Sequence, residues 1–238
     1  MLLENISISQ KIIDKVLHLR TNPVPMHDSR NKLEILAVKV GLKPAYLGFR
    51  DVTNPPNDDL AILKQFAEMI GLEHMASGIP PLYFSRQPKV PDYFRDAYLV
   101  RENFDALWIY SSPEITPKIR DCISGEINEG YVLGYPKCCI EWHAEKRAIE
   151  VESAFNERMD KWEEITARHM FGTWRKYPFV SHWACSKCLN GESQETSKLN
   201  SQYRDLARQV GFNLEQNLIA GIRKFCSDLG KPWLSLSS

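Results

Sequence analysis

The sequence lacks the long apolar runs that mark membrane proteins. No stretch approaches roughly 18 consecutive apolar residues, the length typical of a membrane-spanning helix. The first residues, MLLENISISQKIIDKV, are interrupted by Glu4, Gln10, Lys11 and Asp14, which does not fit the apolar core of a secretory signal. We therefore expect a cytoplasmic protein without a membrane partner.

The chain also lacks net charge, since 30 Lys and Arg residues balance 30 Asp and Glu residues. A protein that binds nucleic acid over its whole surface needs an excess of positive charge. Nucleic acid therefore has weak support as a partner, and only through a local basic patch. The hydrophobic content of 43% and the aromatic content of 11% predict a folded globular chain rather than a disordered one.

Several common catalytic motifs are missing. The sequence has no G-x-G-x-x-G, no P-loop, no G-x-S-x-G and no H-E-x-x-H. Their absence excludes the commonest dinucleotide-binding, nucleotide-hydrolysing, serine-hydrolase and zinc-protease explanations.

The spacing of apolar residues predicts two closely packed lobes, which could form one domain. Residues 1–130 alternate helical patterns with strand candidates, so we predict an α/β lobe with a small parallel sheet. The strand candidates are residues 45–49, 80–85 and 105–112. Residues 131–238 are predicted to form a mainly helical lobe, which includes one long amphipathic helix from Pro136 to about Trp162.

Four of the six cysteines occur in two short segments of the helical lobe. LGYPKCCIEWH (residues 133–143) carries Cys138 and Cys139, and SHWACSKCL (residues 181–189) carries Cys185 and Cys188 at C-x-x-C spacing. Thiols stay reduced in the cytoplasm, so a shared metal site is favoured, with a dithiol redox pair or incidental cysteines as alternatives. Cys122 and Cys226 lie within helical patterns and are predicted to be core residues.

Two kinds of metal group are compatible with these cysteines, a [4Fe–4S] cluster and a zinc ion. Adjacent cysteines are expected to reach one small ion only with backbone strain, whereas a [4Fe–4S] cluster presents separate iron corners to neighbouring thiolates. The adjacency of Cys138 and Cys139 thus favours a [4Fe–4S] cluster as cofactor. Zinc is the alternative, with His182 as a replacement ligand.

Four further residues near the cysteines are candidates for a site. His182 could be a ligand, a hydrogen-bond donor to a thiolate, a catalytic proton donor or a core residue, and His143 is a weaker candidate for the same face. The segment TARHMFGTWRKYPF interleaves basic and aromatic residues. In it Arg175 and Lys176 are candidate substrate contacts, unless the aromatics only anchor the segment in the core.

At these residues the chain resembles an uncharacterised prokaryotic family, domain of unknown function 483, whose members carry GYPxCC followed by an H-x-x-C-x-x-C-like segment. The matching pieces are GYPKCC (residues 134–139) and HWACSKC (residues 182–188), and the resemblance covers about residues 100–210. It implies that the two cysteine sets belong together, and it brings no established activity and no defined metal.

Two functional hypotheses follow. The first is an iron–sulfur protein with redox or sulfur-transfer activity on a small or nucleotide-derived substrate. The second is a structural zinc protein that acts as an RNA- or protein-binding module. A structural zinc site is closed on all sides, whereas a catalytic metal leaves one position open.

Overall fold

The structure is a computed structural model that describes residues 9–21, 25–51, 59–78, 104–144 and 169–228. Its first elements are α1 (Gln10–His18), α2 (Pro25–Lys39), β1 (Ala45–Asp51), α3 (Asp59–Met69), β2 (Glu73–Gly78) and β3 (Phe104–Tyr110). After a 3-10 turn at Pro113–Ile115 follow α4 (Thr116–Ile123), α5 (Glu129–Val132), α6 (Lys137–Trp142), α7 (Ser186–Asn190), α8 (Glu195–Val210) and α9 (Phe212–Asp228). Residues 169–176 are also helical. No helix in these ranges is long and apolar enough to cross a membrane.

The fold mixes helices with one small sheet, and the sheet is antiparallel. Its strand order is β1-β3-β2, and β3 pairs antiparallel with both neighbours. The predicted parallel sheet is therefore wrong. Strands β1 and β2 do run in the same direction, as their connection through α3 requires, but β3 lies between them.

Burial of both faces of the sheet explains this error. On one face, Leu107 and Ile109 of β3 join a large core with the helices, and on the other face Ala106, Trp108 and Tyr110 join a second core. A strand covered on both sides is a continuous apolar run, which is also the pattern of parallel strands. Sequence periodicity alone does not distinguish the two.

The helices beyond residue 169 share the large core with the amino-terminal half. This core contains residues of α2, α3 and the sheet together with Tyr203 and Leu206 of α8 and Leu218 of α9. Arg30 of α2 strengthens the connection, because its guanidinium donates hydrogen bonds to the backbone oxygens of Pro178 and Val180. These contacts fix the segment that leads into the HWACSKC motif.

Several sequence predictions can be compared with the described residues. Strand candidates 45–49 and 105–112 correspond to β1 and β3, and Cys122 lies in the second core as predicted. Strand candidate 80–85 and most of the predicted long helix after Trp142 lie outside the described residues. β2 was not predicted, because its sequence EHMASG has neither an apolar run nor clear alternation.

A buried ion pair joins α2 to the start of β1. The ammonium of Lys43 binds the carboxylate of Glu34, and both side chains are almost fully buried. The same ammonium lies over the rings of Tyr46 and Tyr135, 5.8 Å and 5.3 Å from their centroids. The pair thus contacts Tyr135 of the GYPKCC motif through a cation–π interaction.

We expect Lys43→Met to lower the free energy of unfolding by about 3–5 kcal/mol, because it leaves the Glu34 carboxylate buried without a counter-ion. Urea denaturation followed by circular dichroism measures the loss. The double variant Lys43→Met with Glu34→Leu should recover much of it, because neither charge of the pair is then left buried without the other.

The matched control is Lys64→Met, which breaks the half-exposed pair between Lys64 and Glu68. This exposed pair should contribute only about 0–1 kcal/mol. Equal losses for Lys43→Met and Lys64→Met would contradict the buried-pair account.

Candidate metal centre

The structure brings the four cysteines of the two motifs together at the starts of two helices. Cys138 and Cys139 lie in the first turn of α6, Cys185 precedes α7 as its N-cap, and Cys188 lies within α7. The four Sγ atoms all lie within 4.8 Å of one another and could hold a metal ion. We call these residues the cysteine cluster (Cys138, Cys139, Cys185 and Cys188).

The adjacent cysteines reach the same point from ordinary helical backbone. Pro136 is the N-cap of α6, and its carbonyl accepts hydrogen bonds from the amides of Cys139 and Ile140. The Cys138 and Cys139 Sγ atoms lie 3.6 Å and 3.8 Å from the Cys188 Sγ. Adjacent cysteines can therefore approach one point without the expected backbone strain, because side chains in the first turn of a helix can converge on a group beyond its end.

Gly134 and Tyr135 position the start of α6 on the amino-terminal half. Gly134 has a φ of 71°, and a Cβ atom there would come within 2.6 Å of the Pro44 side chain. Tyr135 contacts two partners: the Lys43 ammonium lies 5.3 Å from the centroid of its ring, and the centroid of the His182 ring lies 5.0 Å away. The glycine and the tyrosine of the motif thus fix where the two thiols point.

Hydrogen-bond donors surround the sulfur atoms. The amide of Cys185 donates to the Cys139 Sγ at 3.4 Å, and the hydroxyl of Thr196 donates to the Cys188 Sγ at 3.1 Å. The Cys138 Sγ has a different environment, with the Ser193 Oγ at 3.6 Å and the Glu195 Oε2 at 3.4 Å. Two of the four sulfurs are therefore supported by donors that would stabilise a thiolate on a metal.

Without a cation, the thiols of the cysteine cluster do not share negative charge equally. The hydrogen bond from Cys139 holds the pKa of Cys188 well below its ordinary value, and the Thr196 hydroxyl lowers it further. The same bond and burial raise the pKa of Cys139, and burial raises the pKa of Cys138 to about 12. The site thus favours a single thiolate, on Cys188. Additional thiolates require a positive charge that compensates for their negative charge.

His182 lies next to the cysteine cluster, but its hydrogen bond is to Thr196 and not to a sulfur atom. Its Nε2 lies 3.2 Å from the Thr196 Oγ1, and the single Thr196 hydroxyl proton is directed to Cys188. His182 Nε2 therefore carries the proton and donates it, which leaves Nδ1 bare, buried and without a hydrogen-bond partner. Burial lowers the pKa of His182 to about 3, so the ring is neutral at physiological pH.

Thr196 is the functional residue that sequence reasoning missed. It contacts His182, Cys139 and Cys188, and it is fully buried in the first turn of α8. The sequence contains no signal for this role except its position eight residues beyond Cys188, near the start of a predicted helix. Only the packing of α8 against α7 brings the hydroxyl to the sulfur.

The other predicted site residues have structural contacts. His143 Nε2 bonds to the backbone oxygen of Trp183 at 3.2 Å. Lys176 donates to the backbone oxygens of Cys188 and Leu189 at the end of α7, and Arg175 is exposed. The aromatic residues of the same segment, Phe171, Trp174 and Tyr177, are all buried. The reading of this segment as an aromatic anchor in the core therefore fits the structure.

We expect His182 to make stability depend on pH. Because the folded pKa of about 3 lies below the ordinary histidine value of 6.5, the unfolded chain binds a proton that the folded chain excludes between these values. Stability is thus lost as the pH falls below 6.5. Relative to His182→Gln, the wild-type free energy of unfolding should fall by about 1.4 kcal/mol per pH unit.

Urea denaturation of both proteins between pH 7.5 and pH 5, with matched metal content, measures this difference. Glutamine keeps an N–H donor for Thr196 and does not titrate, so it is the appropriate reference. A difference that stays constant over this range would show that the buried histidine is not held neutral.

The chain matches no protein-family model, no curated protein and no solved structure. The resemblance of GYPKCC and HWACSKC to domain of unknown function 483 therefore stays a prediction. What the site can do has to be argued from its own residues, and these residues form a compact group of four thiols able to hold a metal ion.

Proposed function

We propose that the protein is a structural zinc protein, in which one zinc ion bound by the cysteine cluster fastens α6 to α7 and α8. The observation that carries this proposal is the mutual approach of all four Sγ atoms to within 4.8 Å. Four thiols at this spacing match the ligand number of structural zinc sites.

The distances between the sulfurs favour a single ion over a cluster. With Zn–S bonds of roughly 2.3 Å, two thiolates on a tetrahedral zinc lie about 3.8 Å apart. The separations of 3.6 Å and 3.8 Å from Cys188 agree with this value. In a [4Fe–4S] cluster each thiolate binds its own iron corner, so the sulfurs would lie further apart.

The surroundings of the site support a structural role. Three sulfur-bearing residues are at most 1% exposed, and among the described residues the small core around them has Trp142, Tyr177, Val180 and Ala184 as its further buried members. A core this small provides limited hydrophobic stabilisation. Zinc binding contributes folding free energy directly, which would compensate for the small core.

The alternative of redox or sulfur-transfer catalysis finds less support. A catalytic metal needs an open coordination position, and all four ligand positions here are filled by thiols. His182, the predicted proton donor, is 5% exposed and neutral, and its only proton is directed to Thr196. It therefore has no acidic proton to give to a substrate.

The structural zinc hypothesis included binding of RNA or of a protein partner. RNA recognition by stacking needs exposed aromatic side chains. Trp142 and Tyr177 of the small core are buried, whereas Tyr135 and Trp183 beside the cysteines are partly exposed. Burial of aromatic side chains therefore does not separate an RNA partner from a protein partner. The proposed kinship with domain of unknown function 483 fits the same reading, because its two motifs would be the two halves of one zinc site.

Metal analysis of the purified protein tests the proposal. We expect one zinc per chain, a colourless sample, and the same composition after aerobic and anaerobic purification. Cobalt substitution should give the absorption of a tetrahedral thiolate site. Iron and inorganic sulfide in a coloured, oxygen-sensitive sample would instead establish the iron–sulfur hypothesis.

Single substitutions of the ligands should remove the zinc. We expect Cys139→Ala and Cys188→Ala each to lower zinc content to well below one per chain, because three ligands hold structural zinc weakly. Cys122→Ala is the matched control, since Cys122 is equally buried but lies in the second core. Full zinc content in either cluster variant would contradict the four-cysteine site.

Thr196 should tune zinc affinity. Thr196→Val keeps the volume of the side chain but removes the hydroxyl that donates to Cys188, so we expect zinc affinity to fall by about 10–100-fold. Thr196→Ser keeps the hydroxyl and should stay close to wild type. Competition with a chromogenic chelator measures both affinities, and equal losses would show that the methyl group rather than the hydroxyl matters.

A further inference from the structure

The four ligands of the cysteine cluster are not equivalent, because Cys138 alone is partly exposed. Cys139, Cys185 and Cys188 are at most 1% exposed, whereas Cys138 is only partly buried in the surface formed by α6 and α8. A small dissolved oxidant can therefore reach one sulfur of the four without opening the core.

The contacts of Cys138 also bring a negative charge next to its sulfur. Cys139 receives an N–H from Cys185, and Cys188 receives the Thr196 hydroxyl. The Cys138 Sγ instead lies 3.4 Å from the carboxylate of Glu195, and the Ser193 hydroxyl and the Cys188 Sγ are both 3.6 Å away. On a zinc-bound thiolate, a neighbouring carboxylate repels the negative charge of the sulfur instead of stabilising it as a hydrogen-bond donor would, so this sulfur keeps its nucleophilic character.

We propose that Cys138 is a site of oxidative modification, at which hydrogen peroxide links Cys138 to Cys188 in a disulfide and releases the zinc. The inference rests on the proposed zinc site and adds its regulation. It makes zinc-dependent folding of α6, α7 and α8 sensitive to oxidants.

Cys188 is the partner that the geometry selects. Its Sγ lies 3.6 Å from the Cys138 Sγ. The adjacent Cys139 is a poor partner for Cys138, because consecutive Cα atoms are about 3.8 Å apart whereas disulfides usually span roughly 4.4–6.8 Å. Oxidation therefore joins the two helices rather than two neighbours in one turn.

The reaction balances with two thiolates and one peroxide. The Cys138 thiolate attacks one peroxide oxygen, the O–O bond breaks, and hydroxide leaves, which gives a sulfenic acid. The Cys188 thiolate then attacks the Cys138 sulfur, the S–S bond forms, and a second hydroxide leaves. Two sulfurs lose two electrons, peroxide gains them, and zinc leaves as Zn²⁺ while Cys139 and Cys185 each take a proton from water.

Treatment of the zinc-loaded full chain with hydrogen peroxide tests the inference. A chromogenic chelator follows zinc release, and mass spectrometry of non-reduced peptides locates the disulfide. We expect about one zinc released per chain together with a Cys138–Cys188 linkage, reversed by a thiol reductant and added zinc. The zinc content before peroxide tests the proposed function separately.

Three outcomes would overturn the inference while leaving the structural zinc intact. One is zinc release with Cys138 still open to alkylation, a second is a Cys185–Cys188 disulfide, and a third is full retention of zinc with all thiols reduced.

A pair of glutamate variants tests why Cys138 reacts, without removing a ligand. In Glu195→Gln the amide can donate an N–H to the Cys138 sulfur, so zinc release by peroxide should slow several-fold. Glu192→Gln is the matched control, because Glu192 is exposed nearby and contacts Asn190 instead. Equal release rates for the two variants would contradict the assignment of reactivity to the surroundings of Cys138.

Discussion

Electrostatic repulsion among four sulfur atoms is the constraint on which this site depends. The four Sγ atoms lie within 4.8 Å of one another, and four thiolates at that distance would repel strongly in a buried environment. The unequal pKa values of Cys138, Cys139 and Cys188 show the conflict, since only Cys188 favours the charged form. A divalent cation resolves it, because it attracts all four charges at once.

The fold brings the sulfurs to one place through a chain of buried polar contacts. The Glu34–Lys43 pair contacts Tyr135 through the Lys43 ammonium, and Tyr135 packs against His182. His182 bonds to Thr196, which bonds to Cys188. The amino-terminal half is therefore connected to Cys188 on α7 by a continuous series of contacts between polar side chains.

Local patterns in the sequence predicted the site better than the fold. The C-x-x-C spacing and the double cysteine behind Pro136 indicate candidate metal ligands because the first turn of a helix places them by local geometry alone. The strand order could not be predicted from these patterns, because β3 is buried on both faces and β2 has little apolar character. Neither Thr196 nor the Glu34–Lys43 pair could be predicted, because tertiary packing alone creates their partners.

The close approach of Gly134 to Pro44 has a consequence for how the sequence can change. The ring of Pro44 occupies the space in which a side chain at position 134 would lie. The left-handed backbone at position 134 independently favours glycine. A larger residue would displace the cysteine-bearing helix from the sheet edge. Positions 44 and 134 are therefore not independent: we expect variation at one to be tolerated only with a compensating change at the other, although neither residue touches the sulfur atoms.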